Sequence, residues 1–175
     1  MTTPDDRAVT SLPQGDPQLL AAPAAQELLG RALPARLAYV SPDGTPRIVP
    51  TWFHWTGDEV VMATWAAGPH IQRAARRIEH LRRNPAVALS IDTDDQPPTV
   101  LQMRGRAQID EVDGIVDEYA RSAEKYIGLE AGRAYIAQFD PASVRMARIA
   151  VRPTWVGLLD FAERLPAPLG GVVER

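Results

Sequence analysis

Arg73, Arg76, Arg77, His80 and Arg83 lie at intervals of three, four, seven and ten from the first, the repeat of one helical face. Ile71, Ala74, Ala75, Ile78 and Leu81 form the apolar stripe opposite, so the spacing predicts an amphipathic helix over residues 70–83. A guanidinium fork bonds two oxygens of a phosphate or carboxylate at once. The preceding loop, Ala66-Ala67-Gly68-Pro69, is built of small residues that let backbone approach a ligand, and a helix N-terminus favours an anion. A phosphate site and a solvated basic face both fit this pattern. Neither a Walker-type Gly-x-x-x-x-Gly-Lys loop nor a Gly-x-Gly-x-x-Gly turn occurs, so any phosphate must be held another way.

Other reactive groups are sparse. There is no cysteine, which excludes disulfides, thiolate metal sites and a cysteine nucleophile. His54, His70 and His80 are the only histidines, and no acid or nucleophile stands at a recognisable spacing from His54, which reads as a strand-surface or interface residue. Asp92, Asp94 and Asp95 lack the glycine and later glutamate of a calcium loop and read as turn formers. Ser41, Ser90, Ser122 and Ser143 have no Gly-x-Ser-x-Gly context, which argues against a serine hydrolase. Trp52, Trp55, Trp65 and Trp155 can stack on a planar ring or anchor a core, with Trp52 or Trp65 the candidates to face a pocket. A net charge of −3 argues against general nucleic-acid binding. No run approaches the roughly 20 apolar residues of a membrane helix, and the first residues lack the order of a secretory signal, so the expected location is cytoplasmic.

The elements that would position these groups are mostly strands. A first helix is expected over residues 24–33, stopped by Pro34. Residues 36–40 and 47–54 read as a hairpin turning at Ser41-Pro42-Asp43-Gly44, with Val49, Thr51 and Phe53 on one face and Trp52 and His54 on the other. Further strands are expected over 59–64, 86–91, 99–109 and 146–151, with 86–91 buried on both faces and Gly105 a bulge or close-approach point. Asp113-Gly114 opens a helical stretch that brings Ile115, Tyr119, Ser122 and Tyr126 to one face and ends at Gly128; a short helix over 130–138 follows. About six antiparallel strands with few helices indicate a mainly β (α+β) split or closed barrel. One domain over 16–165 is expected, between an N-terminal arm (1–15) and a C-terminal tail (166–175), both without periodicity.

Several loose motifs in order carry a resemblance. Pro42-Asp43-Gly44-Thr45-Pro46-Arg47 runs into Val49-Pro50-Thr51-Trp52-Phe53, then Val60-Val61-Met62-Ala63-Thr64, then Leu81-Arg82-Arg83-Asn84-Pro85-Ala86-Val87-Ala88-Leu89. The series resembles the pyridoxamine 5′-phosphate oxidase-like split-barrel family over roughly residues 33–109, with a weaker echo at Arg152-Pro153-Thr154-Trp155. The resemblance implies a homodimeric, six-stranded antiparallel split barrel with flanking helices that binds FMN or the deazaflavin coenzyme F420 between its subunits. It implies cofactor contacts from Arg47, Val49, Pro50, Thr51 and Trp52 on one strand, and from Met62, Ala63, Thr64 and Trp65 at the end of another. A basic residue early in the next helix usually binds the phosphate. Counting forward from Thr64 points to His70, and counting back from Asn84-Pro85 points to Arg77, with Arg76 beside it. The two differ by seven residues, two turns of one helix, so an in-phase insertion would reconcile them.

The implied activity is hydride transfer between a flavin or deazaflavin and a small conjugated substrate, with no catalytic side chain or metal, because the cofactor carries the chemistry. The rival is a non-catalytic split-barrel protein that holds a cofactor or haem. Pyridoxamine phosphate oxidation itself is disfavoured, since the C-terminal dimerisation segment of that enzyme is not found, and residues 113–138 form a helical addition whose Tyr119, Tyr126 and Tyr135 would roof the pocket or pack beneath it. The arginine row favours F420, which has a long anionic tail.

Overall fold

The computed structural model describes residues 12–161. A 3₁₀ turn (Pro17–Ala21) and helix α1 (Pro23–Gly30) precede strands β1 (Ala35–Val40), β2 (Pro46–Thr51), β3 (His54–Trp55) and β4 (Val60–Ala67). Helix α2 (Arg76–Arg83), strands β5 (Ala86–Asp92) and β6 (Thr99–Asp113), helices α3 (Asp117–Ile127) and α4 (Leu129–Ile136), and strand β7 (Arg145–Asp160) complete the order. The seven strands form one antiparallel sheet in the order β2-β1-β5-β6-β7-β4-β3.

That order puts consecutive strands at opposite edges. Laid flat, seven strands would hold their outer edges about 29 Å apart, at roughly 4.8 Å per step. The chain crosses from Thr51 to His54 through Trp52 and Phe53 alone, a span of at most about 11 Å. The sheet is therefore curled until its edges nearly meet, leaving a seam where β2 and β3 do not pair. This is a split barrel with seven strands instead of the six expected, and it is not closed. The extra strand comes from dividing the expected 47–54 run: Trp52 and Phe53 leave the ladder to turn the corner, and His54 and Trp55 pair with Val61 and Val60.

Alternation fills the interior. Leu101, Met103, Ala107 and Ile109 of β6 face the same side as Leu158, Val156, Val151 and Ile149 of β7. Between Val151 and Val156 the inward parity changes from odd to even. A bulge accounts for it: Gly105 opposes Pro153 and Arg104 opposes Trp155, so Thr154 is supernumerary. Pro153, which cannot donate to a ladder, is tolerated at this irregular point. The two lines therefore join 145–160 into one long strand, where the sequence indicated a strand ending at 151. β5 alternates, burying Val87, Leu89 and Ile91 while Ala88 and Ser90 stay half-exposed, so the expected burial on both faces does not hold there. β4 is the strand covered on both sides, because α3 packs on its outer face. Leu19, Ala22, Ala25, Leu28 and Leu29 of the N-terminal elements and Phe53 enter the same core.

The helix expected over 70–83 begins only at Arg76. Gly68 and Pro69 start a turn closed by the Ile71 N–H on the Gly68 carbonyl, and Ala75 is still extended. Ile78 and Leu81 reach the core, whereas Ala74 is exposed, so the first half of the apparent stripe has nothing to pack against. Likewise β6 runs on to Asp113 and α3 starts at Asp117. Gly128 does separate α3 from α4, in a left-handed conformation with φ 91°.

A Cβ at Gly105 would lie 2.7 Å from the Arg152 carbonyl oxygen and 2.9 Å from Val151 Cγ1. Gly105→Ala should therefore lower stability by about 1–3 kcal/mol, read as a lower urea midpoint with an unchanged m-value, because the bulge must give way.

Candidate functional site

Where β4 ends, the chain returns through 68–75 into α2, and the return frames a cleft of about 590 Å³. Arg73, Arg76, Arg82 and Arg145 line it with Glu79 and Glu111. Four arginines against two glutamates leave a local excess of two positive charges, in a chain whose formal charge is −3. Arg82 binds Glu111 at 2.6 Å and Arg145 approaches it at 3.3 Å, and together they hold that carboxyl below its usual range, the Arg82 hydrogen bond first. Glu79 takes Arg83 at 2.5 Å. Arg73 and Arg76 have no ion pair among the described residues, so their charge is available to an anion. The floor is made by Ala66, Ala74 and Ala75, which keep the cleft open.

Arg77 points elsewhere. It is half-buried beside Tyr39, desolvation lowers its pKa, and its Nε finds no partner. His80 is close by, its ring 6.1 Å from that of Tyr39 and its Nδ1 also without a partner. A buried guanidinium N–H left unpaired costs stability, so Arg77 Nε is a donor whose partner the described residues do not supply.

His70 lies in a third environment. Its ring meets Trp65 at 4.8 Å and Phe139 at 5.1 Å, inside an aromatic cluster that links β4 to the helices. Trp65 touches Tyr119 at 5.7 Å, and Tyr119 shares a 3.0 Å hydrogen bond with Tyr135. Trp52, at the seam, stacks on Tyr126 at 5.2 Å with planes 5° apart. Burial pushes the Tyr119 and Tyr126 phenols up; Tyr126 donates to the Leu33 carbonyl at 2.7 Å. Arg148 fastens this helical layer to the sheet, bonding Glu118 at 2.8 Å and Glu59 at 3.4 Å.

The residues that the sequence singles out thus fall in several places. Because His70 is not on α2, its seven-residue separation from Arg77 is not two helical turns, and an in-phase insertion does not relate them. Val49 and Thr51 share the inward register of Leu37 and Ala35, and Arg47 follows them at the strand's exposed end. Pro50 lies on the outer face with Ile48. Met62 is a core side chain, 2% exposed, able to offer a ligand only its backbone; Ala63 is buried under Val116. Thr64 is half-exposed near the β4 end. Trp155 lies under the Arg104 guanidinium at 4.0 Å. Asp92 and Asp95 pair with Arg36 and Arg31. Arg145 and Glu111 were not singled out; they reach the cleft because β6 and β7 pair to their ends, Asp113 opposite Arg145, which no local spacing reveals.

On the far side of α3, Lys125 and His54 line a small cavity with Trp55. Burial lowers the Lys125 ammonium to about 8, and burial, with the charges of Arg121 and Lys125, lowers His54.

Among the described residues no helix is long and apolar enough to cross a membrane. The profile of the family described as "Pyridoxamine 5'-phosphate oxidase" matches residues 21–160. A search of the curated proteins found no match. Among solved structures, an F420 reductase is 32% identical, with 75% of this chain and 94% of that chain covered at a TM-score of 0.57. A putative pyridoxamine 5′-phosphate oxidase from Listeria innocua is 21% identical, over 77% of this chain and 94% of that one, at 0.52. The haem storage protein HutZ from Vibrio cholerae is 17% identical, over 78% and 92%, at 0.52. The last two share the fold.

An amine near 8 when folded and 10.5 when free binds fewer protons folded than unfolded between those values, so folding stability rises with pH across that window. Between pH 8 and 9.5, below the tyrosine range, Lys125→Met should flatten this rise, read from urea midpoints at each pH.

Proposed function

The chain belongs to the pyridoxamine 5′-phosphate oxidase family, and from that membership we propose that it is a flavin- or deazaflavin-dependent oxidoreductase acting on a small conjugated substrate. The observation that carries the reading is the arginine-lined cleft at the end of β4, whose Arg73 and Arg76 are uncommitted and whose volume suits a polyanionic chain. The 32% identity to an F420 reductase favours coenzyme F420 over FMN.

The residues present fit such a group. Arg76 and Arg73 would hold its phosphate, while Arg77, beside Tyr39, faces away from that cleft. Thr64 and Trp65 at the end of β4, His70 beyond them, and Arg47, Val49, Pro50, Thr51 and Trp52 of β2 and the seam would bound its ring, with Met62 and Ala63 contributing backbone. A bound flavin or deazaflavin supplies the hydride chemistry. The chain's own part is to orient the ring and to exclude water, for which the Trp52, Trp65, Tyr119 and Tyr135 cluster provides the apolar wall. No side chain is assigned a catalytic proton.

Titration of the purified chain with F420, FMN and haem in parallel tests this. Micromolar or tighter F420 binding is expected, weakened at least tenfold by Arg76→Glu. Haem alone binding, or no effect of Arg76→Glu, would overturn the reading.

The proposal includes a homodimer. Ile48 is 67% exposed, and behind it Ala38 and Ala88 continue an apolar row across β2, β1 and β5 to Arg104 of β6. A groove of about 190 Å³ runs along these residues between Arg36 and Arg104. A twofold axis laying this face on its own copy would bury Ile48 twice. Sedimentation should give a dimer that Ile48→Asp dissociates; a wild-type monomer would contradict it.

A further inference from the structure

The sequence contains one lysine among nineteen Lys and Arg residues. That lysine, Lys125, lies in the last turn of α3 with its Nζ 3.6 Å from the centroid of the Phe53 ring and 4.8 Å from that of Tyr126. It donates to the Leu29 carbonyl at 3.4 Å. Glu118 and Glu124 of its own helix are engaged by Arg148 and Arg133, and Lys125 has no ion pair among the described residues. Arginine holds its charge in any such setting, whereas an amine can give its proton up. The Lys125 side chain borders a cavity of about 200 Å³, whose other lining residues are Gln26, Leu29, Gly30, His54 and Trp55.

We propose that this cavity binds a small aldehyde, whose carbonyl carbon is attacked by the Lys125 amine to form an imine. The nitrogen lone pair adds to the carbon and the C=O π electrons pass to oxygen. Loss of water then leaves a C=N bond: the N–C σ and π bonds form, the C–O σ and π bonds break, and the two amine protons depart with the oxygen as water. Nothing is oxidised or reduced. His54, on the same wall, is the group that carries the proton between nitrogen and oxygen. Leu29 and Trp55 give the space apolar walls. The volume, about that of six or seven liquid waters, limits the partner to a small carbonyl compound.

The charge environment agrees with this use. With the ammonium at about 8, about a quarter is free amine at pH 7.5, against about one part in a thousand for an ordinary lysine. If amines lose nucleophilicity with basicity as thiols do, on the order of tenfold of that advantage is returned, leaving about tenfold. The charged or titratable groups around the amine are His54 from β3, and Arg121 and Tyr126 from α3 itself; neither His54 nor Arg121 offers a negative charge that would hold the proton on.

The test uses the full chain with propionaldehyde and cyanoborohydride from pH 6.5 to 9.5, followed by peptide mass mapping, which separates Lys125 from the terminal amine. Nα-acetyl-lysine amide is the reference. Reductive trapping at Lys125 about tenfold faster than the reference at pH 7.5, with a midpoint near pH 8, is expected. Lys125→Arg, checked for fold by circular dichroism, should remove that adduct and leave terminal labelling. A rate at or below the reference, or a midpoint near the ordinary lysine value, would show a packing cation and overturn the proposal. The wild-type pH profile decides this even if the variant does not fold.

Discussion

The step from Thr51 to His54 sets the shape of the whole molecule. Hydrogen bonding places β2 and β3 at opposite ends of a seven-strand order, yet covalent geometry lets them part by only about 11 Å. Those demands are met together only by a sheet that curls, and the curl creates an interior for Phe53 to enter and a corner for Trp52 to occupy. Tyr126 can then stack on Trp52 and Lys125 can lie over Phe53. The helical layer is thus fixed to the seam by rings and to β4 and β7 by Arg148, between two carboxylates. That layer carries an aromatic wall reaching towards His70 and, at Lys125, an amine beside a small cavity.

Much of this was legible along the chain where the deciding physics is local. The turn at Pro42-Asp43-Gly44, the alternation of β6 and the tightness at Gly105 come from dihedral limits and side-chain direction, which neighbouring residues dictate. The early part of 70–83 was not legible, because Ile71, Ala74 and Ala75 repeat like a helix face while the core beneath ends at Ile78. Periodicity reports what could be buried and tertiary packing decides what is. Arg145 and Glu111 reach the cleft through the pairing of β6 with β7, and the split between Arg76 and Arg77 depends on how α2 rolls over Tyr39.

Charge is distributed with the same division of labour. Among the described residues eight of the fifteen arginines pair with carboxylates, namely Arg31, Arg36, Arg82, Arg83, Arg133, Arg145, Arg148 and Arg152. In the cleft at the end of β4 guanidinium groups outnumber the carboxylates, so an anion meets an attractive field there although the chain is acidic overall. Exposed ion pairs elsewhere add little stability one by one.

Thr154 behaves like an odd letter in a message read two at a time. Upstream of it, inward residues of β7 are odd-numbered, and downstream they are even-numbered, while β6 opposite never changes phase. Excising that one residue would not shorten a loop. It would join the two halves into one unbroken alternation, with Val156 two places after Pro153 and still opposite Met103, and would remove the bend that the extra residue gives the strand. A residue lost between Val156 and Leu158 would instead turn one of them outward, so the bulge is where β7 can change length without changing face.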